Sequence, residues 1–203
     1  TATAYAENLV LKAGQVITGA SSQFVVISGT VTTPTTGGTC YLENLRIQTP
    51  STAGNVSPIN FVGGANQTNL QLSNVDINLY GGTGSCINWT NTNANSKLVS
   101  DGTSAWNVIS STNNAKLFTS VTGTAGTIIV QNVSAQINDN TNKVAYRIFG
   151  AVKFYHTLDN IYGQVVVGDT AQFFGTFLTI YTQNVAALVT NSSSISTLNS
   201  CVM

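Results

Sequence analysis

"YLENLRI", residues 41–47, and "QLSNVDI", residues 71–77, are the two segments that predict the fold of this chain. They align without a gap and place Asn44 thirty positions before Asn74, with aliphatic residues at matching positions on both sides. The shared pattern is an aliphatic residue, any residue, Asn and a second aliphatic residue. Repetition at a fixed period of about 20 to 50 residues is typical of a solenoid, in which each copy forms one coil.

The pattern recurs further along the chain at nearly even intervals. The interval of 58 residues in the middle equals two steps of about 29, so one degenerate copy is expected near residue 103. Asp101 and Gly102 can form a turn there without an Asn. The four complete copies contain Asn44, Asn74, Asn132 and Asn160.

An Asn in this position has a physical role in the predicted coil. In one straight strand Leu42 and Asn44 would share a face, and Leu45 would point to the opposite face. A bend at Asn44 allows Leu42, Leu45 and Ile47 all to point inward. Asn adopts left-handed backbone at lower cost than most residues, and its amide can hydrogen-bond to neighbouring backbone. We therefore expect the four Asn side chains to form a ladder between coils.

The composition predicts an all-β protein. The 203 residues are most simply one domain, and 42% of them are apolar, enough for a substantial core. Only 7% are charged, compared with about 25% in average proteins. Thr, Asn and Ser supply the polarity instead, and these residues favour strands and turns over helices. The one helix that the sequence suggests is a short segment over residues 184–189.

A strand, an Asn bend and a second strand, repeated once per coil, resemble the right-handed parallel β-helix of the pectate-lyase-like superfamily. The resemblance covers roughly residues 24–165 and implies coils of about 29 residues with an asparagine ladder and internal aliphatic stacks. We expect one domain over residues 1–203, with residues 1–23 as an N-terminal cap or first coil and residues 166–203 as a C-terminal cap or oligomerisation region. A β-sandwich or jelly roll is the alternative, since it has similar strands and turns.

Charge and cysteine content bear on partners and cofactors. Seven basic and seven acidic residues give a net charge of zero, so nucleic-acid binding is not expected. No apolar run approaches the ~20 residues of a membrane helix, so membrane insertion is not expected either. A single histidine, His156, and the scattered Cys40, Cys86 and Cys201 predict no metal site and no cofactor. The sequence leaves open whether Cys40 and Cys86 form a bridge or remain free, and it favours a packed or surface role for His156.

Catalysis is not expected from the distribution of carboxylates. Polysaccharide hydrolases need two carboxylates that face the scissile bond. Lyases that resemble the pectate-lyase family use several acidic calcium ligands and a basic residue. If the chain is an enzyme, Asp76 and Asp101 are the candidate pair, because they can lie on neighbouring coils. Arg46 and Asp76 occupy equivalent positions in their coils and are expected to form an outward ion pair.

Aromatic residues supply the candidate ligand-binding positions. Trp89 and Trp106 lie in loop-like stretches beside Asn and Thr, where an indole face can stack on a sugar ring; the alternative is that each fills a coil or a subunit interface. Aromatic residues also concentrate after residue 153, where they predict a cap or a surface that packs against identical subunits. They are Phe154, Tyr155, Tyr162, Phe173, Phe174, Phe177 and Tyr181.

A neutral all-β solenoid rich in Thr, Asn and Ser resembles viral fibre and spike proteins, which are trimeric. The expected function is a non-enzymatic structural or attachment domain on a virion surface or in an extracellular setting, as a homotrimer that contacts a host glycan. Two alternatives remain: a polysaccharide-degrading enzyme, of the lyase or tailspike-like depolymerase type, and an extracellular carbohydrate-binding or adhesin module.

Overall fold

The computed structural model describes residues 3–23, 25–49, 56–80, 83–109, 115–137, 143–182 and 185–203. Within these ranges the chain forms strands and no helix. The strands are β1 Thr3–Tyr5, β2 Leu9–Val10, β3 Val16–Thr18, β4 Val25–Ser28, β5 Val31–Thr32, β6 Gly38–Gln48, β7 Ile59–Phe61, β8 Thr68–Leu79, β9 Ser85–Trp89, β10 Lys97–Asp101, β11 Ser104–Val108, β12 Lys116–Ser120, β13 Ala125–Gln131, β14 Val133–Ile137, β15 Val144–Ile148, β16 Ala151–Tyr162, β17 Gln164–Val167, β18 Gln172–Tyr181, β19 Leu188–Thr190 and β20 Ile195–Asn199.

The helix predicted over residues 184–189 is wrong. Leu188–Thr190 forms strand β19, which pairs with β17, and Asn184 lies outside the described residues. The segment is short, and Val189 and Thr190 at its end are β-branched and favour a strand. The backbone hydrogen bonds that β17 offers therefore decide its structure. The described part of the chain contains no helix that could cross a membrane.

All strand pairings between the described segments are parallel, and they form two sheets. One sheet has twelve strands, and the other has eight in the order β19-β17-β15-β12-β9-β7-β5-β2. The chain is therefore a parallel β-solenoid of about 7 turns, as predicted, and the sandwich alternative is wrong. A sandwich requires antiparallel neighbours, whereas here each strand pairs with its counterpart in the next coil.

The predicted register is confirmed in the central coils. Leu42 lies opposite Leu72, and Ile47 lies opposite Ile77. The coil spacing averages about 26 residues, not 29, because the coils shorten toward the C-terminus. Between β16 and β18 the spacing is only 19, as Phe154 pairs with Phe173. Coil length is set by the loops, and Gly163 alone joins β16 to β17.

From β6 onward, the twelve-stranded sheet bends once per coil at a residue with positive φ. Strands before and after this bend line two sides of the core, and the eight-stranded sheet lines the third. Gly102, with φ of 78°, replaces the Asn in the degenerate copy, as predicted. We call these bend residues the corner row: Asn44, Asn74, Gly102, Asn132, Leu158, Phe177 and Ser200.

Asn160 is not a member of the corner row, and its predicted place in the ladder is wrong. The left-handed residue of its coil is Leu158, with φ of 61°. Gln131 lies opposite Thr157, so the following residues, Asn132 and Leu158, occupy equivalent positions. Asn160 therefore lies two residues beyond the bend, and its match to the sequence pattern is coincidental.

Side-chain hydrogen bonds connect successive members of the corner row. Asn74 Nδ2 donates to Asn44 Oδ1 at 2.9 Å, which is the ladder contact that the repeat predicts. In the next coil the hydroxyl of Thr103 donates to Asn74 Oδ1 at 3.1 Å, beside Gly102. On the outer surface next to the row, the predicted pair forms between Arg46 and Asp76, with N–O separation of 3.3 Å.

The stack of coils continues into both ends of the described chain. Residues 1–23 contribute β3, which pairs with β6, so this region belongs to the first coil. Residues 166–203 contain β18, β19 and β20, which continue both sheets. The sequence repeat loses its regular spacing there because the coils are shorter, but the strands continue to pair from coil to coil.

The cysteines of the core are free thiols. Cys40 lies in the twelve-stranded sheet and Cys86 in the eight-stranded sheet, and their Sγ atoms contact the carbonyl oxygens of Lys12 and Asn107 respectively. Burial raises the pKa of the Cys86 thiol strongly, because the thiolate would lose its hydration. The Cys40–Cys86 bridge that the sequence left open is absent.

The ladder contact can be tested by replacing its central residue. Asn74→Ala removes two hydrogen bonds and leaves in left-handed backbone a side chain that cannot hydrogen-bond to its neighbours. We therefore expect a loss of about 2 kcal/mol in the free energy of unfolding. Asn74→Gly removes the hydrogen bonds alone and should lose about half as much. Asn160→Ala is the matched control, with a loss below about 0.5 kcal/mol in urea denaturation. An equal loss in both alanine variants would contradict the assignment of the corner row.

Candidate functional site

The two tryptophans predicted as sugar platforms are core residues. Trp89 and Trp106 are both 0% exposed, so neither indole face can reach a ligand on the surface. Trp89 stacks on Phe61 with ring centroids 3.9 Å apart, and its Nε1 donates to the carbonyl oxygen of Ala125. Gly126 accommodates the ring, since a Cβ there would lie 2.5 Å from it. The ligand-binding prediction for both residues is therefore wrong, and the alternative that they fill coils is correct.

The candidate carboxylate pair is divided by the corner row. Asp76 lies after the bend, where its carboxylate contacts Arg46. Asp101 lies before the bend and opposite Ser73, and its Oδ1 has no hydrogen-bond partner among the described residues. The two residues therefore lie on strands before and after the bend, and the carboxylate of Asp76 is engaged with Arg46, whereas glycoside hydrolysis requires two carboxylates that face one bond.

A polar cluster inside the core consists of Tyr146, His156 and Asp159. The Tyr146 hydroxyl lies 3.3 Å from His156 Nδ1, and His156 Nε2 lies 3.9 Å from Asp159 Oδ2, which is too long for a hydrogen bond. Asp159 Oδ1 accepts from the amide of Asn160 at 2.6 Å. Tyr146 and His156 are 0% exposed, so these two side chains do not reach the surface, and the side chain of Asp159 is 10% exposed.

Burial determines the protonation of this cluster. Loss of hydration lowers the pKa of His156, and the nearby carboxylate of Asp159 opposes this effect without reversing it. The same burial raises the pKa of the Tyr146 hydroxyl well above its usual value. At neutral pH the imidazole is therefore neutral. Its neighbour in the next coil is Gly175, where a Cβ would collide with Leu178 and Leu198.

The corner row changes its chemistry along the solenoid. In the central coils it is formed by amides and a glycine, whereas the last coils place Leu158 and Phe177 at the same bend. These two side chains are 61% and 59% exposed. Left-handed backbone costs a bulky residue about 1–3 kcal/mol, so the sequence retains two exposed apolar residues at strained positions.

Stacked aromatic pairs flank this part of the corner row. Tyr155 and Phe174 stack with centroids 4.7 Å apart, and Tyr162 and Tyr181 stack with centroids 4.8 Å apart. Each pair bridges two coils on the outer surface. We define the apolar corner as this surface, which consists of Tyr155, Leu158, Tyr162, Phe174, Phe177 and Tyr181.

The sequence predicted part of this surface. It identified the concentration of aromatic residues, but it did not separate Phe154 and Phe173, which are 0% exposed, from their outward neighbours. The alternation along β16 and β18 is the signal that separates them, since inward and outward positions alternate in a strand. Leu158 was missed because the Asn pattern assigned the bend to Asn160.

No protein-family model matches the chain, and comparison with curated proteins and with solved structures finds no similar protein. The assignment of the fold as a β-solenoid therefore rests on the strand pairing alone.

The buried histidine predicts a pH-dependent stability. The pKa of His156 is lower in the folded chain than in the unfolded chain, so the unfolded state binds the additional proton. Stability from this residue is present above pH ~6.5 and is lost as the pH falls toward the folded pKa. The slope cannot exceed about 1.4 kcal/mol per pH unit for one proton.

Urea denaturation between pH 5 and pH 8 measures this slope. The variant His156→Gln lacks the titrating group, and the chain has no other histidine, so its curve should be flatter below pH ~6.5. Parallel curves for the wild type and the variant would contradict a buried, neutral His156.

Proposed function

We propose that this chain is a non-enzymatic structural and attachment domain of a virion-surface or extracellular fibre or spike, built as a right-handed parallel β-helix of the pectate-lyase-like type. In this proposal three copies associate through the apolar corner. The observation that supports it is the pair of exposed side chains at left-handed bends, Leu158 and Phe177.

In an isolated chain, Leu158 and Phe177 carry an energetic cost, because both are exposed and both have left-handed backbone. Burying one exposed Leu or Phe side chain contributes about 1.5–3 kcal/mol, which is similar to the cost of left-handed backbone at a bulky residue. Covering Leu158 and Phe177 therefore offsets the strain that they introduce. Asn at the same positions would avoid both the strain and the exposure, as Asn44 and Asn74 do in the central coils.

A second copy of the chain is a suitable partner for this surface. Four of the polar residues between the aromatic pairs are uncharged: Thr157, Asn160, Thr176 and Thr179. The one acidic residue there, Asp159, has a side chain that is only 10% exposed and lies near His156, which limits repulsion between identical surfaces. A corner of a solenoid with three sides can face a three-fold axis, where each copy contributes the same residues. Parallel coils and buried aliphatic rows would give such a trimer a stiff shaft that depends little on ion pairs.

The contacts of the two candidate carboxylates also favour this function over a polysaccharide-degrading enzyme. A hydrolase requires two carboxylates about 5–10 Å apart across one substrate site. Asp76 is engaged with Arg46, and Asp101 lies on the strand before the bend. A catalytic proposal would need carboxylates that converge on one surface.

Light scattering tests the association. We expect a mass of about three times the 21.2 kDa of one chain at high micromolar concentration. The double variant Leu158→Asn with Phe177→Asn should have the mass of one chain and should remain folded, because Asn adopts left-handed backbone more cheaply and exposes no apolar side chain at the bend.

The matched control is Val16→Thr, which removes a 56% exposed apolar side chain from the opposite end of the solenoid and keeps a β-branched residue in its strand. This control should retain the mass of the wild type. A wild-type chain that remains a monomer, or a double variant that still associates, would refute the role of the apolar corner.

A further inference from the structure

A polar cleft on the eight-stranded sheet has no role in the functions considered above. Its volume is about 410 Å³, within the range of about 300–1,000 Å³ that is usual for small-molecule sites. It lies on the outer surface of β7, β9, β12 and β15, away from the bends of the corner row. Its polar lining includes Ser57, Asn60, Asn88, Lys116, Thr119 and Arg147.

Strand register aligns these side chains in rows across the coils. Asn60 lies opposite Asn88, Asn88 lies opposite Thr119, and Thr119 lies opposite Arg147. Lys116, three residues before Thr119 in β12, lies opposite Ser85. Neighbouring strands are about 4.8 Å apart, so the main row spans about 14 Å with a polar side chain at each step. Backbone pairing on both sides holds these positions in place.

Two of the seven basic residues of the chain meet at this cleft, and none of the described residues that line it is acidic. The guanidinium of Arg147 lies 4.6 Å from the centroid of the Phe149 ring, a contact that favours one orientation of the side chain. Partial burial lowers the pKa of Lys116, and the positive charge of Arg147 lowers it further. Lys116 and Arg147 line the same cleft, so together they make it attractive to an anion.

The chemistry of the lining specifies the ligand. Hydroxyl and amide side chains both donate and accept hydrogen bonds, as the hydroxyl groups of a sugar require. Arg binds carboxylate and sulfate oxygens through two parallel N–H groups, and Lys adds a point charge. We propose that this cleft binds an anionic carbohydrate, one that carries a carboxylate or sulfate group, with the acidic group between Lys116 and Arg147 and the hydroxyl groups along the row of Asn60, Asn88 and Thr119.

The biological role of this site rests on the proposed attachment function. Its ligand binding does not, since binding can be measured on a chain of any oligomeric state. A glycan array with neutral, sulfated, uronate-containing and sialylated glycans is the first measurement. Binding confined to the anionic glycans is expected. Binding to neutral glycans with equal strength, or to none of the glycans, would overturn the proposal.

Calorimetry with the tightest array ligand then tests the assigned residues. Arg147→Gln and Lys116→Gln should each weaken binding about tenfold or more, and Arg147→Lys should restore part of the loss. Lys153→Gln is the matched control, because Lys153 is an exposed cation of the twelve-stranded sheet, and it should bind like the wild type. Equal affinity in the Arg147→Gln and Lys153→Gln variants would place the ligand elsewhere and overturn the assignment.

Competition with sodium sulfate and sodium acetate separates a carbohydrate site from a simple anion site. We expect either salt to compete only at concentrations more than a hundredfold above the glycan, after correction for ionic strength. Competition at equal concentrations would show an anion site without sugar recognition. Light scattering on the Arg147→Gln variant should give the wild-type mass, so that failure of this site is distinguishable from failure of the trimer.

Discussion

From β6 onward, the solenoid depends on one backbone constraint, a left-handed residue in each coil at the bend of the twelve-stranded sheet. A continuous strand would turn every second side chain away from the core. The bend at Asn44 allows Leu42, Leu45 and Ile47 to be fully buried together, and the same arrangement recurs along the stack. Because each coil bends at the same place, successive coils stay in register and their aliphatic residues stack. The corner row therefore sets the register of the coils. Along this row the exposed side chains change from amides in the central coils to Leu158 and Phe177 in later coils.

The sequence predicts those parts of the fold in which a residue pattern repeats, and it fails where only strand pairing determines the position of a residue. The central register was predictable because the Asn bends and their aliphatic neighbours repeat at nearly constant spacing. Trp89 and Trp106 were misassigned to the surface, since neighbouring Asn and Thr resemble a loop although each indole points inward from a strand. Asn160 was misassigned because a four-residue pattern carries no information on pairing, which places Leu158 at the bend.

The two candidate surfaces lie on different sides of the same scaffold. The apolar corner follows the row of left-handed residues, where exposed Leu158 and Phe177 replace the amides of the central coils. The polar cleft lies on the eight-stranded sheet, where register brings Arg147 beside Thr119. No single sequence motif contains either surface, because each is assembled from residues about 19 to 31 positions apart. Association at one surface leaves the other available to a ligand.

The left-handed backbone at Leu158 can be measured directly by nuclear magnetic resonance. Positive φ brings the amide proton of a residue closer to its own α proton than negative φ does, which strengthens the nuclear Overhauser effect between them. A chain labelled at Leu, Phe and Asn should give strong effects at Asn44, Asn74, Leu158 and Phe177, and a weak effect at Asn160. A strong effect at Asn160 with a weak one at Leu158 would contradict the placement of the bend, and with it the register and the apolar corner.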